Sequence, residues 1–426
     1  MKKLFLISAI ILLLTNCTQK LSKEQTAQLW KAYNEQNYFR LNKLVNKIDF
    51  KGTNPDFMLF KAKLGYVFNR PGESDSLINI LLDKYSSNFN DTIIADLHLM
   101  KAVNNERLQN YKDALAEGKL VTEKYRHCFD STFIAETGYD NEVREALANV
   151  PKMEINHSGE EKISMKRDMA GLLNVPVSLG NDSLEFVFDT GANISVIMES
   201  VAQKFGFKPL GKKVHIMAFT GKRLEAYMSI GNLKMGKIGI NNAVFIVFPD
   251  SVLSFANGAY VIKGIIGFPV MNALKEIILK DDKYLIIPEK PEMTNDKNFA
   301  LDQATPVILV NYKNDTLPFH FDTGADRTAL YITFFDKYKE EVEKTCRKKT
   351  VMLGGAGGVT KVETYVLDKA MLTAGNVTTP LDTLNILTKS LLSNQAHLYG
   401  NFGQDFIKKY KEMKINFAYM NICFSN

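Results

Sequence analysis

Cysteine is scarce, with four residues in a chain of 426, too few for a disulfide scaffold. Setting aside Cys17 at the N-terminus, Cys128, Cys346 and Cys423 remain. An odd number excludes complete internal pairing and leaves a Cys346–Cys423 pair open. The six histidines (His98, His127, His157, His215, His320 and His397) show no paired metal spacing, and no Gly-x-Ser-x-Gly elbow is present. Nothing here asks for a metal or an organic cofactor. An excess of one charge is missing too: 53 basic residues face 47 acidic ones, interspersed. Short runs such as Arg347-Lys348-Lys349 read as a solvated strand lead-in, so no nucleic acid partner is expected. The one continuous apolar run, Leu4 to Leu14, is short for a membrane span.

What the chain does have is a five-residue word used twice: Phe188-Asp189-Thr190-Gly191-Ala192 and Phe321-Asp322-Thr323-Gly324-Ala325. The flanks repeat as well. Leu184, Phe186 and Phe188 match Leu317, Phe319 and Phe321, and Asn181-Asp182 matches Asn314-Asp315. This is an internal duplication. In the first copy, Val175 to Leu179, the turn Gly180-Asn181-Asp182 and Leu184 to Phe188 predict a β-hairpin. The second predicts the same from Val307 to Val310 and Leu317 to Phe321. Each apolar strand ends at an Asp, and Gly191 and Gly324 let the chain turn sharply beside it. A single strand-end Asp in a glycine turn is an ordinary turn former; two matched copies are not.

The downstream halves match too. Gly264-Ile265-Ile266-Gly267 follows the first Asp and Gly400-Asn401-Phe402-Gly403 the second. Lys275-Glu276 and Lys411-Glu412 come next, each leading into a strand-like stretch. The offset between copies is 322 − 189 = 133 at the Asp and 400 − 264 = 136 at this second signature. Asp-Thr-Gly-Ala followed by such a Gly signature resembles the retropepsin and pepsin clan of aspartic proteases, in both halves of residues 160 to 426. Asn401 departs from the apolar residue usual there.

The resemblance implies two all-β lobes, 160–290 and 296–426, with Asp189 and Asp322 as catalytic pair. It also implies that Thr190, Gly191, Thr323 and Gly324 support the active turns. Between the signatures each half has a glycine-bearing β segment: Val214 to Gly221, returning through Leu224, and Thr350 to Gly358, returning through Val362. By resemblance these are flaps over a protein or peptide substrate, with Phe219, Thr220 and Gly221 in one tip and Gly355, Ala356 and Gly357 in the other. A phosphate loop is excluded, since no Lys-Ser/Thr follows the last glycine at Walker spacing. Two close carboxylates cannot both ionise, so they share a proton, one serving as base and one as acid. Ala192 and Ala325 stand where a hydroxyl would lower the pair's pKa, so activity is expected at mildly acidic or neutral pH. With both words in one chain, dimerisation is not required. His320 is read as a packed strand residue, not a third catalytic group.

Residues 18 to 150 change character: glycine is sparse, and apolar residues recur at helical spacing from Leu29 to Ile48. Two further helical pairs follow, Phe57 to Phe68 with Leu77 to Tyr85, and Ile93 to Val103 with Tyr111 to Tyr125. The breaks at Asn37, Arg70-Pro71-Gly72 and Asn110 resemble the period of tetratricopeptide repeats, which implies a protein partner for this region. The fold expected is therefore multidomain: an α-helical repeat region, then two all-β acid-protease-like lobes. At the N-terminus, Met1-Lys2-Lys3, the apolar run and Leu14-Thr15-Asn16-Cys17 resemble a bacterial lipoprotein signal, residues 1–17, with Cys17 as the lipidated residue. That implies lipid anchoring to a membrane of the bacterial cell envelope, the outer membrane above all. The rival to an aspartic endopeptidase is a catalytically silent peptide-binding or scaffold lipoprotein. Cys17→Ser is expected to move the chain, expressed in a bacterial host, from the membrane pellet to the soluble fraction. A variant that stays in the pellet would exclude lipid anchoring at Cys17.

Overall fold

A computed structural model describes residues 21–49, 53–218, 221–355, 358–389 and 397–426. Cys17 and the tip residues Phe219, Thr220, Ala356 and Gly357 lie outside the described residues. A helical region comes first: α1 (Lys23–Asn34), α2 (Tyr38–Asn46), α3 (Pro55–Val67), α4 (Pro71–Lys84), α5 (Asp91–Arg107), α6 (Tyr111–Glu123) and α7 (Ser131–Leu147). Each packs against the next in the chain. Asn37, Asn54, Asn90 and Asp130 cap four of them, each side chain accepting the N–H of the residue three ahead.

The breaks read from the sequence are one turn used three times. Gln36, Asn69 and Gln109 each take a left-handed backbone. The next residue then donates back five positions: Asn37 to Ala32, Arg70 to Gly65 and Asn110 to Asn105, at 2.9, 2.8 and 2.7 Å. The helical pairs expected from periodicity end at Tyr125, and α7 is an addition to them. Its buried positions explain why no stripe was visible: they include Thr137, Asn141 and Arg144. The Arg144 guanidinium bonds Glu106 and Asn141. Gly118 makes room for this, since a Cβ there would fall 2.1 Å from Asn141 Oδ1.

Two large mixed sheets follow, one of nine strands and one of eight. The duplication shows in their pairing. Strands Leu173–Leu179 and Asp182–Phe188 form a hairpin, as do Thr305–Tyr312 and Asp315–Phe321. Strand Gly264–Ile266 lies parallel to the second arm of the first hairpin, and Gly400–Phe402 lies parallel to the second arm of the other. Each also pairs antiparallel with the short strand after its Asp turn, Ser195–Met198 or Ala329–Leu330. The β part therefore fits the expectation in its coarser form: helices first, then two related mixed sheets. A third, five-stranded antiparallel sheet joins the halves, because Glu276–Lys280 pairs along its length with Glu412–Asn416.

Cys128, Cys346 and Cys423 are all free thiols, which closes the Cys346–Cys423 pairing left open above. The two sit in different sheets: Cys346 precedes the outer strand of the eight-stranded sheet, and Cys423 belongs to the five-stranded one.

The joining sheet is apolar at its centre, where Ile277, Ile415 and Ile422 are fully buried and Ile415 faces the other two across the ladder. Ile415→Ala is expected to destabilise the chain by about 2–5 kcal/mol, read as a lower midpoint of chemical denaturation. Met371→Ala, at a side chain 53% exposed, should stay within about 0.5 kcal/mol of the parent.

Candidate active site

Asp189 and Asp322 stand at the ends of the two matched hairpin strands. The backbone N–H of each donates to the parallel strand beside it, Asp189 to Ile266 O and Asp322 to Phe402 O, both at 3.1 Å. Each turn then closes identically. Asp189 Oδ1 accepts from Gly191 N at 2.8 Å and Asp322 Oδ1 from Gly324 N at 2.9 Å. Ala192 N and Ala325 N donate to the Asp189 and Asp322 carbonyls, both at 3.3 Å.

Two buried threonines tie the turns together. Thr190 N donates to Thr323 Oγ1 at 2.9 Å, and Thr323 N to Thr190 Oγ1 at 3.0 Å. Each hydroxyl passes its own proton across the axis, Thr190 to Phe321 O and Thr323 to Phe188 O, both at 2.9 Å. Both hydroxyls and both backbone N–H groups of the pair are satisfied, as burial demands. The two turns are tied to each other through these threonines.

The glycines serve a different need from the one expected. Neither Gly191 nor Gly324 has a positive φ. What forbids a side chain is proximity: a Cβ on Gly191 would lie 2.7 Å from Asp322 Oδ1, and one on Gly324 2.3 Å from Asp189 Cγ. Each glycine makes space for the carboxylate of the opposite half. The second-signature glycines are equally crowded, with a Cβ on Gly267 2.6 Å from Ala192 O and one on Gly403 2.6 Å from Arg327 C.

A pair of hydroxyls escaped the sequence reading. Ser195 Oγ accepts from Gly267 N at 3.0 Å, and Thr328 Oγ1 from Gly403 N at 3.1 Å. Both stand six residues after their Asp (195 − 189 = 328 − 322 = 6). The hydroxyls match between the copies, but the residues before them, Asn193-Ile194 and Asp326-Arg327, do not. Asn401, which departs from the apolar pattern, is half of a polar tie: its Oδ1 accepts from Ala329 N and its Nδ2 donates to Arg327 O.

Both carboxyls titrate above the ordinary aspartate range, Asp189 pushed up to about 8. Burial is the main cause. For Asp189 the neighbouring Asp322 charge comes second, while the Gly191 N–H pulls the other way. Two carboxyls brought close together resist carrying two charges at once, which favours retention of a proton above the pH at which free aspartates lose theirs. His320, on the strand leading to Asp322, is buried, and that burial pushes its pKa down to about 4 against the pull of Asp189. It stays neutral at neutral pH, in keeping with a packed strand residue. Burial, then the Asp322 charge, raises Tyr331.

Both Asp side chains open into a cavity of about 1890 Å³. Its walls include two hairpin arms, His215 to Ala218 from the hairpin Leu210–Met217/Arg223–Met235 and Val351 to Gly355 from the hairpin Arg347–Gly355/Gly358–Ala374. The Lys222 side chain of the first hairpin reaches the second, where a Cβ on Gly358 would lie 3.9 Å from its Nζ. Gly221, with φ 75°, closes the first tip by donating to Ala218 O. Gly355 pairs with Gly358 at the end of the second. The site thus gathers Asp189, Asp322 and their four supporting residues, with Gly355 on the cavity wall and Gly221 just outside it. Among the described residues no cluster of His, Cys, Asp and Glu could hold a metal ion.

Residues 175–270 match the aspartyl protease family model. The match spans the first Asp turn, the first hairpin over the cavity and the first Gly signature. None of the curated proteins matches the chain. A partial aspartic-protease domain is therefore present, and it supports hydrolase chemistry of that general kind.

The raised pKa values carry a stability consequence. A carboxyl whose folded-state pKa lies above its unfolded value takes up a proton on folding, so its contribution is full below the ordinary value of 3.8 and is lost as pH rises through the folded-state value. Asn has no such loss. Asp189→Asn is expected to match the parent's thermal stability at acid pH and to exceed it at neutral pH. Melting curves across that range check this; equal pH dependence in both proteins would mean the pair is not perturbed.

Proposed function

We propose that the chain is an aspartic endopeptidase that hydrolyses protein or peptide substrates with Asp189 and Asp322 sharing one proton. The observation that supports this most is the pairing of two carboxyls on duplicated strand-end turns, each turn making room for the other's acid. The ionised carboxylate takes a proton from a water between the pair as the water oxygen attacks the peptide carbonyl carbon. The protonated partner gives its proton to the carbonyl oxygen. The tetrahedral diol then collapses: one diol hydroxyl gives its proton to the carboxylate that had acted as acid as the C=O bond re-forms, the C–N bond breaks, and the nitrogen leaves with the proton held by the other carboxyl, so one carboxyl is again protonated. No metal and no organic cofactor enters this cycle.

The alanines after each glycine fit this reading. Ala192 and Ala325 offer no hydroxyl to the carboxylates, so nothing at that position offsets burial, and the shared proton persists toward neutral pH. The two hairpins supply the cover that a peptide needs to exclude water from the reacting carbon. By the resemblance of residues 1–17, the enzyme works lipid-anchored at the bacterial cell envelope.

Incubation of the full chain with a peptide library, beside Asp189→Asn and Asp322→Asn, tests the proposal. Each substitution is expected to lower kcat/KM by about 10²–10⁴-fold or more. The parent's optimum is expected between mildly acidic and neutral pH. Cleavage that persists in both variants would remove the pair from the chemistry, and an optimum at strongly acidic pH would remove the account of the two alanines.

A further inference from the structure

The helical region and the first cavity hairpin meet along α7. Strand Leu210–Met217 is the outermost of its sheet, hydrogen-bonded on one side only, to Arg223–Met235. On its other side the His215 N–H donates to Glu142 Oε2 at 2.9 Å, and His215 Nδ1 lies 2.9 Å from the same oxygen. Arg223, from the returning strand, donates to Tyr139 OH at 3.3 Å, and the Tyr139 ring lies 5.5 Å from the His215 ring. Beneath these contacts Val143, Ala146 and Leu147 of α7 pack with Val214, Ala226 and Met228 of the hairpin. Tyr139, Asp140 and Val143 line the same cavity as Asp189 and Asp322. The other hairpin differs: its outer strand Arg347–Gly355 contains no buried residue.

We propose that α7 is a positioning element of the cleft, holding the first hairpin against the cavity so that the helical region forms part of the substrate site. The proposal rests on the protease reading for its kinetic consequence but not for its structural one. A strand edge whose N–H is held by a carboxylate is fixed in place, and a charge-assisted bond of this kind is among the stronger ones. The hairpin is therefore held in one position against the cavity wall. Glu142 and Tyr139 touch no reacting atom. They act through the strand, and substrate binding is what they affect.

Hydrogen exchange of the full chain, measured by mass spectrometry over residues 210–217, tests the structural part. Glu142→Ala is expected to exchange about tenfold faster there, with residues 307–321 unchanged. Glu142→Gln keeps an acceptor for the His215 N–H and should remain within about threefold of the parent. On the peptide found for the parent, Glu142→Ala should raise KM about tenfold with kcat within about threefold, and Glu142→Gln should restore most of the difference. Unchanged exchange in Glu142→Ala overturns the proposal, as does a fall in kcat at constant KM. If Glu142→Ala does not fold, Tyr139→Phe with Arg223→Gln takes its place under the same criteria. A parent that cleaves no peptide removes the protease reading and leaves the exchange result to decide the brace.

Discussion

Four hydrogen bonds between Thr190, Thr323 and the strands Phe188 and Phe321 belong to hold the two halves of the β region in one register. Everything at the site follows from that register. It sets how close the turns come, and that closeness leaves no room for a Cβ at Gly191 or Gly324. It also sets how near the two acids come to one another, and each titrates above the usual range. The threonines are buried and fully paired, so losing either hydroxyl leaves donors and acceptors of the other half without partners in a place water cannot reach. The joining sheet at Glu276–Lys280 and Glu412–Asn416 makes the same connection from below, through apolar packing instead of directed polar contacts.

The duplicated words, their hairpins and the offset between halves were all readable, because each depends on residues close together in the chain. So were the breaks between helices at Asn37, Arg70 and Asn110, where the backbone must turn left-handed one position earlier. The pairing of the joining sheet was not readable, since nothing local tells Ile277 that Ile415 is its neighbour. Helix α7 was hidden because polar residues, Thr137, Asn141 and Arg144, fill its buried face. The shared role of Ser195 and Thr328 was masked by the unlike residues before them. The reason for the central glycines lay outside the sequence altogether: it is a distance to the other half, not a dihedral angle. The hairpin tips proper, from Phe219 to Thr220 and Ala356 to Gly357, stand outside the described residues.

The two halves have kept the chemistry and changed the surroundings. Ile265 in one half and Asn401 in the other occupy matched positions on the parallel strand. The first packs among apolar side chains, and the second ties down the chain after the Asp turn. Val187 and His320 are similarly matched (320 − 187 = 133), and His320 brings a neutral, buried imidazole close to Asp189. The cavity these residues line is asymmetric although the turns above it are nearly equivalent. The two sides of the cavity therefore present different walls.

The order in which the parts are made adds a constraint in time. A growing chain contains Asp189 and its whole turn long before it contains strand Gly400–Phe402, which receives the Asp322 N–H, or strand Glu412–Asn416, which ties the halves together. Until synthesis has passed residue 323 the first turn has no partner turn to hold it in register, and until it has passed residue 416 the joining sheet is incomplete. The paired acid site can come into being only as a late event of biosynthesis, after the helical region and the first sheet have been made.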